Sequence, residues 1–251
     1  MNSIAISVIV FACVFAGAMF GMLLRAVLPQ EHLGGDSKDV VKLGMGLVAT
    51  MSALLLGMMI SASLASYEAQ RKELTETSAQ IVLLDRVLAH YGTETKETRD
   101  ILRGAVVIIL DRMWPKNHSE PTPVGAQVPG AESLFEKISA LTPKDDAQHM
   151  LKAQALSMMM SLGQTRWLHY ENSATTVSTP LLVVLVFWLT TIFVSFGLFA
   201  PRNPTVVVGL LVSAFSVSCA ILMILELYSP YAGLIEISSA PLRAALAQLG
   251  K

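Results

Sequence analysis

The chain has 251 residues, of which 53% are hydrophobic and only 15% charged, with a formal net charge of −1. Soluble domains carry roughly a quarter charged residues, so an ordinary soluble domain is excluded and a membrane protein is expected. The balanced charge supplies no basic face to neutralise phosphates, which removes nucleic acid as a partner. Cys13 and Cys219 both fall in apolar spans, so neither a disulfide framework nor a thiolate metal site is expected.

The first apolar span runs from Ile4 to Leu28, and a helix of that length exceeds the roughly 30 Å hydrocarbon core. Met1, Asn2 and Ser3 carry no side-chain charge, so the span reads as a transmembrane helix and not as a cleaved signal. Gly17 and Gly21 form a small-xxx-small pair that lets another helix approach closely. Arg25 is expected to snorkel to the interface. A polar link follows from Pro29 to Lys42, with Pro29, Gly34 and Gly35 marking a turn region.

The second span runs from about Leu43 to Ala65 within a longer helix, Val41 to Arg71. One face carries Gly46, Thr50, Ala53, Gly57, Ser61 and Ala65, spaced three or four residues apart so that small and weakly polar groups share one stripe. In lipid such a stripe serves either close helix packing or the wall of a pore, and both readings stay open on spacing alone. Tyr67, Glu68, Arg71 and Lys72 continue the helix without a Gly or Pro break. Glu68 precedes the two cations by three and four residues, as favourable helical pairs do.

The polar stretch that follows reads as helical. Leu74, Thr77, Ile81, Leu84, Leu88 and Tyr91 make a seam too short for a coiled coil and suited to packing on neighbouring helices. Gly92 ends that helix, and Thr93 or Thr95 is expected to cap the next, whose apolar face is Ile101, Leu102, Ala105, Ile108 and Ile109 before Trp114 and Pro115. Pro115 to Gly130, with four prolines and two glycines, reads as a loop. A short helix spans Glu132 to Leu141. Thr142, Pro143 and Asp145 then predict a helix start, with the helix running through Met158, Met159 and Trp167 to about Glu171.

The third span, Leu181 to Ala200, and the fourth, Val206 to Tyr228, are separated by Pro201 to Thr205, a link short enough to predict an antiparallel pair. A turn at Pro230 and Gly233 leads to a closing helix, Pro241 to Leu249, capped by Ser238 or Ser239 and stopped by Gly250. The expected fold is therefore all-α and polytopic: transmembrane helices 1 and 2 in 1–66, a helical polar insert in 67–178, transmembrane helices 3 and 4 in 179–229, and a C-terminal turn and helix in 230–251. Arg71, Lys72, Arg166 and Arg243 on the insert side nearly balance Arg25, Lys38, Lys42 and Arg202 opposite. The positive-inside rule thus scarcely decides the orientation. An insert without cysteines and a chain without a signal peptide favour the insert and both termini in the cytoplasm.

Chemistry is sparsely signalled. His32, His90, His118, His149 and His169 are scattered, with no helical His pair, so neither a metal site nor a cofactor is expected, and an enzyme is not expected. Asp145 and Asp146 are explained by a helix N-terminus. No Gly-rich phosphate loop occurs, since Gly44 and Gly46 lack the strand and later glycine of that motif. Glu226, at the end of the fourth span, is costly at a membrane edge unless paired or hydrated. Pairing with Arg243 or the nearby turn, as an anchor, is the simpler reading, and an ion-pathway role is the alternative.

Trp188, Phe196-Gly197-Leu198, Ala200-Pro201-Arg202-Asn203, Glu226-Leu227 with Pro230 and Gly233, Ile237-Ser238, and Pro241-Leu242-Arg243 resemble the bestrophin-like family of bacterial membrane proteins, as does Tyr67-Glu68-Ala69 with Arg71. Tyr228 stands where an acid usually follows Glu-Leu, and Tyr231 where a Phe follows the proline, so Glu226 would act without a second carboxylate. The resemblance implies a bacterial inner-membrane protein. By the more distant similarity to bestrophins it implies a homo-oligomeric ion channel, a pentamer among the assemblies it allows, conducting small inorganic ions with the second helices around the pore. On that implication Gly46, Thr50, Ala53, Gly57 and Ser61 face the axis or a neighbouring subunit. Leu54 and Met58 form a hydrophobic constriction beside them. Glu68, Arg71, Lys72 and Arg202 supply a charged entrance, with Glu226 and Arg243 as further charged or anchoring groups. The competing expectation is a non-conducting membrane scaffold or sensor whose helical insert binds a partner.

Overall fold

The computed structural model describes residues 2–29, 35–115, 130–172, 179–201, 203–228, 231 and 233–251, with backbone alone for 35–37 and 165–172. The expected loop, at 116–129, and His32, His118 and Arg202 lie outside the described residues, as do the side chains of Arg166, Trp167 and His169. Every described element is helical: α1 (Ser3–Val27), α2 (Gly35–Tyr91), a 3₁₀ turn (Thr93–Thr95), α3 (Lys96–Met113), α4 (Ala131–Ala140), α5 (Asp146–Asn172), α6 (Thr179–Phe199), α7 (Pro204–Leu227) and α8 (Ala240–Gln248). Four of them are long and apolar enough to cross a membrane: Ser3–Val27, Lys38–Tyr91, Thr179–Phe199 and Pro204–Leu227. The chain divides into two compact units, Met1–Tyr67 with Thr176–Ser229, and Glu68–Thr175 with Pro230–Lys251. The C-terminal turn and helix therefore belong to the polar unit.

The second helix begins at Gly35, before the expected start at Val41 and inside the stretch read as a turn region. The polar link is itself helix-compatible, because Asp36 and Asp39 lie where acids complement a helix N-terminus. Asp39 also pairs with Lys42 at 3.7 Å.

In the first unit α1 is the hub, packing along α6 and α7. Its buried residues Val10, Val14, Ala18 and Met22 meet Leu185, Leu189 and Phe193 of α6 and Leu210, Ala214 and Ile221 of α7. The short link between α6 and α7 does not make them each other's main partner. Both pack chiefly on α1, and towards α6 the closest approach is at α1's glycines. A Cβ at Gly21 would overlap the Val194 carbonyl oxygen and stand 2.9 Å from the Leu198 nitrogen, and one at Gly17 would stand 2.9 Å from Thr190 Cγ2. The expected small-xxx-small contact is thus made with α6. Gly197 completes it from the opposite helix, where a Cβ would overlap the Ala18 carbonyl oxygen. Lipid is as apolar as the side chains it would replace, so close backbone approach and hydrogen bonding must hold such helices together. Ser218 Oγ donates to the Ser7 carbonyl at 2.7 Å, and Phe11 meets Phe215 edge-on at 6.4 Å. Arg25 donates to the carbonyl of Ala200. It therefore serves a carbonyl just past the end of α6, where a cation is also favoured by the helix dipole.

The second unit is held by ordinary burial. Ile81, Leu84 and Leu88 of α2 form one core with Leu102 and Val106 of α3, Leu134 and Ile138 of α4, Ala155 of α5 and Leu242 of α8. The predicted seam is the buried face of α2, with Leu74, Ile81, Leu84, Leu88 and Tyr91 all buried. On α3 the inward position belongs to Val106, 1% exposed, while Ile108 is exposed. The 3.6-residue period carries Val106 one turn after Leu102 onto the same face.

Helix ends here are closed by side chains from elsewhere. Gly92, at φ 138°, ends α2, a conformation that only glycine adopts without strain. Thr95 makes no side-chain bond into α3. Its hydroxyl lies 2.5 Å from the Leu88 carbonyl and 2.8 Å from that of Gly92, closing the end of α2 instead. Gln148 Nε2 adds a bond to the Tyr91 carbonyl at 3.0 Å. Helix α5 starts at Asp146, later than Thr142-Pro143 predicts, because Asp145 is the cap and accepts from the Gln148 amide at 2.7 Å. At α8, Ser239 occupies the cap position without a side-chain bond, and Ser238 Oγ accepts from the Ala240 amide at 3.2 Å.

Candidate functional site

The most distinctive surface in the first unit is the exposed side of α2. Its buried side is read from Ser52, Met59 and Ser63, with Leu55, Leu56 and Ile60 partly buried against the unit's core. Residues at that spacing occupy one face, and the small-residue stripe falls on the other. Gly46, Thr50, Ala53, Gly57, Ser61 and Ala65 are all exposed, as are Leu54, at 75%, and Met58, at 57%.

The contrast between glycines is direct. A Cβ on Gly46 or Gly57 would meet no atom within 4 Å, whereas those on Gly21 and Gly197 would collide with a neighbouring backbone. Within the chain, then, the stripe on α2 is not a packing seam, and the seam lies instead between α1 and α6. The hydroxyls of α2 are satisfied by its own backbone: Ser52 donates to Val48 and Thr50 to Leu47, each at 2.8 Å, and Ser63 to Ile60 at 2.9 Å. Each donor is thus occupied while its oxygen keeps acceptor capacity. For Thr50 that oxygen lies on the exposed face, as a weakly polar group without a charge.

The charged candidates are spread out. Glu68 and Arg71 are exposed on α2. Lys72 reaches forward to Glu76 at 3.7 Å and not back to Glu68, a surface pair of the kind worth at most a few tenths of a kcal/mol. Glu226 is 4% exposed near the end of α7, and Arg243 is exposed on α8 in the other unit. Among the described residues no group of three or more His, Cys, Asp or Glu side chains could hold a metal ion. Cys13 and Cys219 are free and exposed.

The sequence did not single out Gly197 as a contact residue. The residues three and four positions before it on α6 are Val194 and Phe193, and the small Ala200 lies just past the helix end, so no paired motif marked it, and its role depends on which helix lies opposite.

A family model described as a bestrophin-like domain matches residues 12–242. No curated protein and no solved structure matches the chain.

Proposed function

The chain belongs to the bestrophin-like family, and from that premise we propose that it is a homo-oligomeric ion channel whose pore is lined by the exposed face of α2. The observation that supports this reading is the orientation of the stripe. Thr50, Ala53, Gly57 and Ser61 are exposed and turned away from the core of their own unit, so they are available to an axis or to neighbouring copies, while Gly46, at the start of the stripe, is exposed at the edge of a cleft that α2 shares with α6 and α7. Leu54 and Met58 beside them supply a hydrophobic constriction that gates by dewetting. Glu68, Arg71, Lys72 and Arg202 are the candidate charges at the entrance, and Glu226 and Arg243 are anchoring groups. In this reading the protein sits in a bacterial inner membrane with the polar unit in the cytoplasm, carries small inorganic ions and is not an enzyme.

Planar-bilayer recording of the purified protein tests the proposal. The expected result is a conductance that falls with Gly57→Leu and rises with Met58→Ala. Absence of conductance across voltage, pH and salt would sink it. A second reading, a non-conducting scaffold or sensor, is favoured by the apolar side chains exposed on the polar unit: Met150 at 73%, Met160 at 63% and Phe135 at 40%. It predicts that Gly57→Leu disturbs assembly while no assembly conducts.

A further inference from the structure

The divergence of α6 and α7, each packed on α1, leaves a cleft of about 600 Å³ in the first unit. That volume lies within the range of small-molecule sites. Its walls include Met45 and Gly46 of α2, Ile192 and Phe199 of α6, and Leu210 of α7, and Lys38 and Lys42 of α2 also line it. We propose that this cleft binds one anionic phospholipid, its acyl chain between α6 and α7 and its phosphate on Lys38 and Lys42.

Three features point to that occupant. The walls are dominated by hydrocarbon, which an inorganic anion would not use. The cations stand at the start of the apolar stretch of α2, where long basic side chains reach the membrane interface, so headgroup and chain meet the protein at the depths where a lipid carries them. The local charge is positive. Lys38 has no carboxylate partner among the described residues, and Lys42 has only Asp39, at 3.7 Å with both side chains well exposed. Arg25 lies against the same wall through its bond to the Ala200 carbonyl. A basic residue near an anionic lipid surface strengthens binding about fivefold. The inference does not depend on whether the protein conducts.

Native mass spectrometry of the full chain in mild detergent tests it, with phosphatidylglycerol or phosphatidylcholine added at equal concentration. The wild type is expected to retain one phosphatidylglycerol per chain in preference to phosphatidylcholine. Lys38→Gln and Lys42→Gln should each lower that retention about fivefold and leave phosphatidylcholine unchanged. Gly209→Leu, at a wall position where a Cβ would meet nothing within 4 Å, should lower retention of both lipids without unfolding the chain. Equal retention of the two lipids overturns the proposal, as does insensitivity to the lysine substitutions. Displacement of the lipid by inorganic phosphate alone also overturns it. So does a Gly209→Leu variant that changes oligomer size with lipid retention intact, since a second copy would then be the occupant.

Discussion

Arg99 holds Asp85 through two parallel bonds, Nε to Oδ1 at 2.7 Å and Nη2 to Oδ2 at 2.8 Å, and the carboxylate so held is only 4% exposed. The guanidinium is a rigid fork that matches a carboxylate bidentately, and its pKa is raised by the hydrogen bond to Asp85. The same carboxylate accepts the Gly250 amide at 3.3 Å, so α2, α3 and the segment after α8 share one polar joint. Removing Arg99 strands a buried negative charge. Arg99→Ala is expected to destabilise the second unit by about 3–5 kcal/mol, whereas Asp85→Asn, which keeps the shape without the charge, costs less. Thermal melts by circular dichroism in detergent check this, and a wild-type melt for Arg99→Ala would refute it.

Gly197→Ala and Gly57→Ala should separate sharply. At Gly197 the added methyl overlaps the Ala18 carbonyl and stands 3.0 Å from the Met22 nitrogen. Backbone atoms cannot swing aside, so a loss at or above the usual 1–3 kcal/mol of overpacking is expected. At Gly57 the methyl enters open space, and the helix gains about 0.5–1 kcal/mol of propensity. Melting temperatures of the two variants, compared with wild type, decide the matter. Equal destabilisation would contradict the assignment of the two glycines.

The Tyr91 hydroxyl is buried without a hydrogen-bond partner. Leaving a buried polar group unmet costs about 1–3 kcal/mol, so Tyr91→Phe should leave stability unchanged or raise it. A clear loss would mean that the hydroxyl is satisfied.

Alkaline pH should loosen the second unit. Burial raises the phenol pKa of Tyr91, with the Glu94 carboxylate adding to it. Burial likewise raises that of Tyr231, with Glu73 adding to it. Because the folded values lie above the ordinary tyrosine value of about 10, their contribution is fully present below that pH. It is lost as pH rises toward the folded values. Melts between pH 8 and 12 should fall above about pH 10, and less steeply in Tyr91→Phe. A flat profile would count against burial of these phenols.

Trp114 ties the segment after α7 to the end of α3. Its indole Nε1 donates to the Ile237 carbonyl at 2.9 Å, and its ring meets Tyr231 edge-on at 5.9 Å. Trp114→Phe keeps most of the ring and loses the donor, so a cost of about 0.5–1.5 kcal/mol is expected. Limited proteolysis within 231–239 should accelerate, and unchanged cleavage would refute the tie.

Much of the architecture was legible because membrane spans are read from length and composition, which need no partner. The seam at Leu74, Ile81, Leu84 and Leu88 was legible because period decides a buried face. The caps were less so. Asp145 won over Thr142, and Thr95 turned back to α2, because several hydroxyl and carboxylate groups near a helix end compete and three-dimensional reach selects among them.

The sequence by itself determined that this is an all-helical membrane protein with a polar helical part, and that α2 carries a stripe of small groups, since hydropathy and the helical period are local properties of the chain. Which way that stripe faces was decided only by the tertiary structure. Gly46 and Gly21 look alike as letters, yet one faces open space and the other a carbonyl on α6. A glycine's role is set by the atoms opposite it. Those atoms belong to helices distant in the chain, and no spacing within α1 or α2 specifies them.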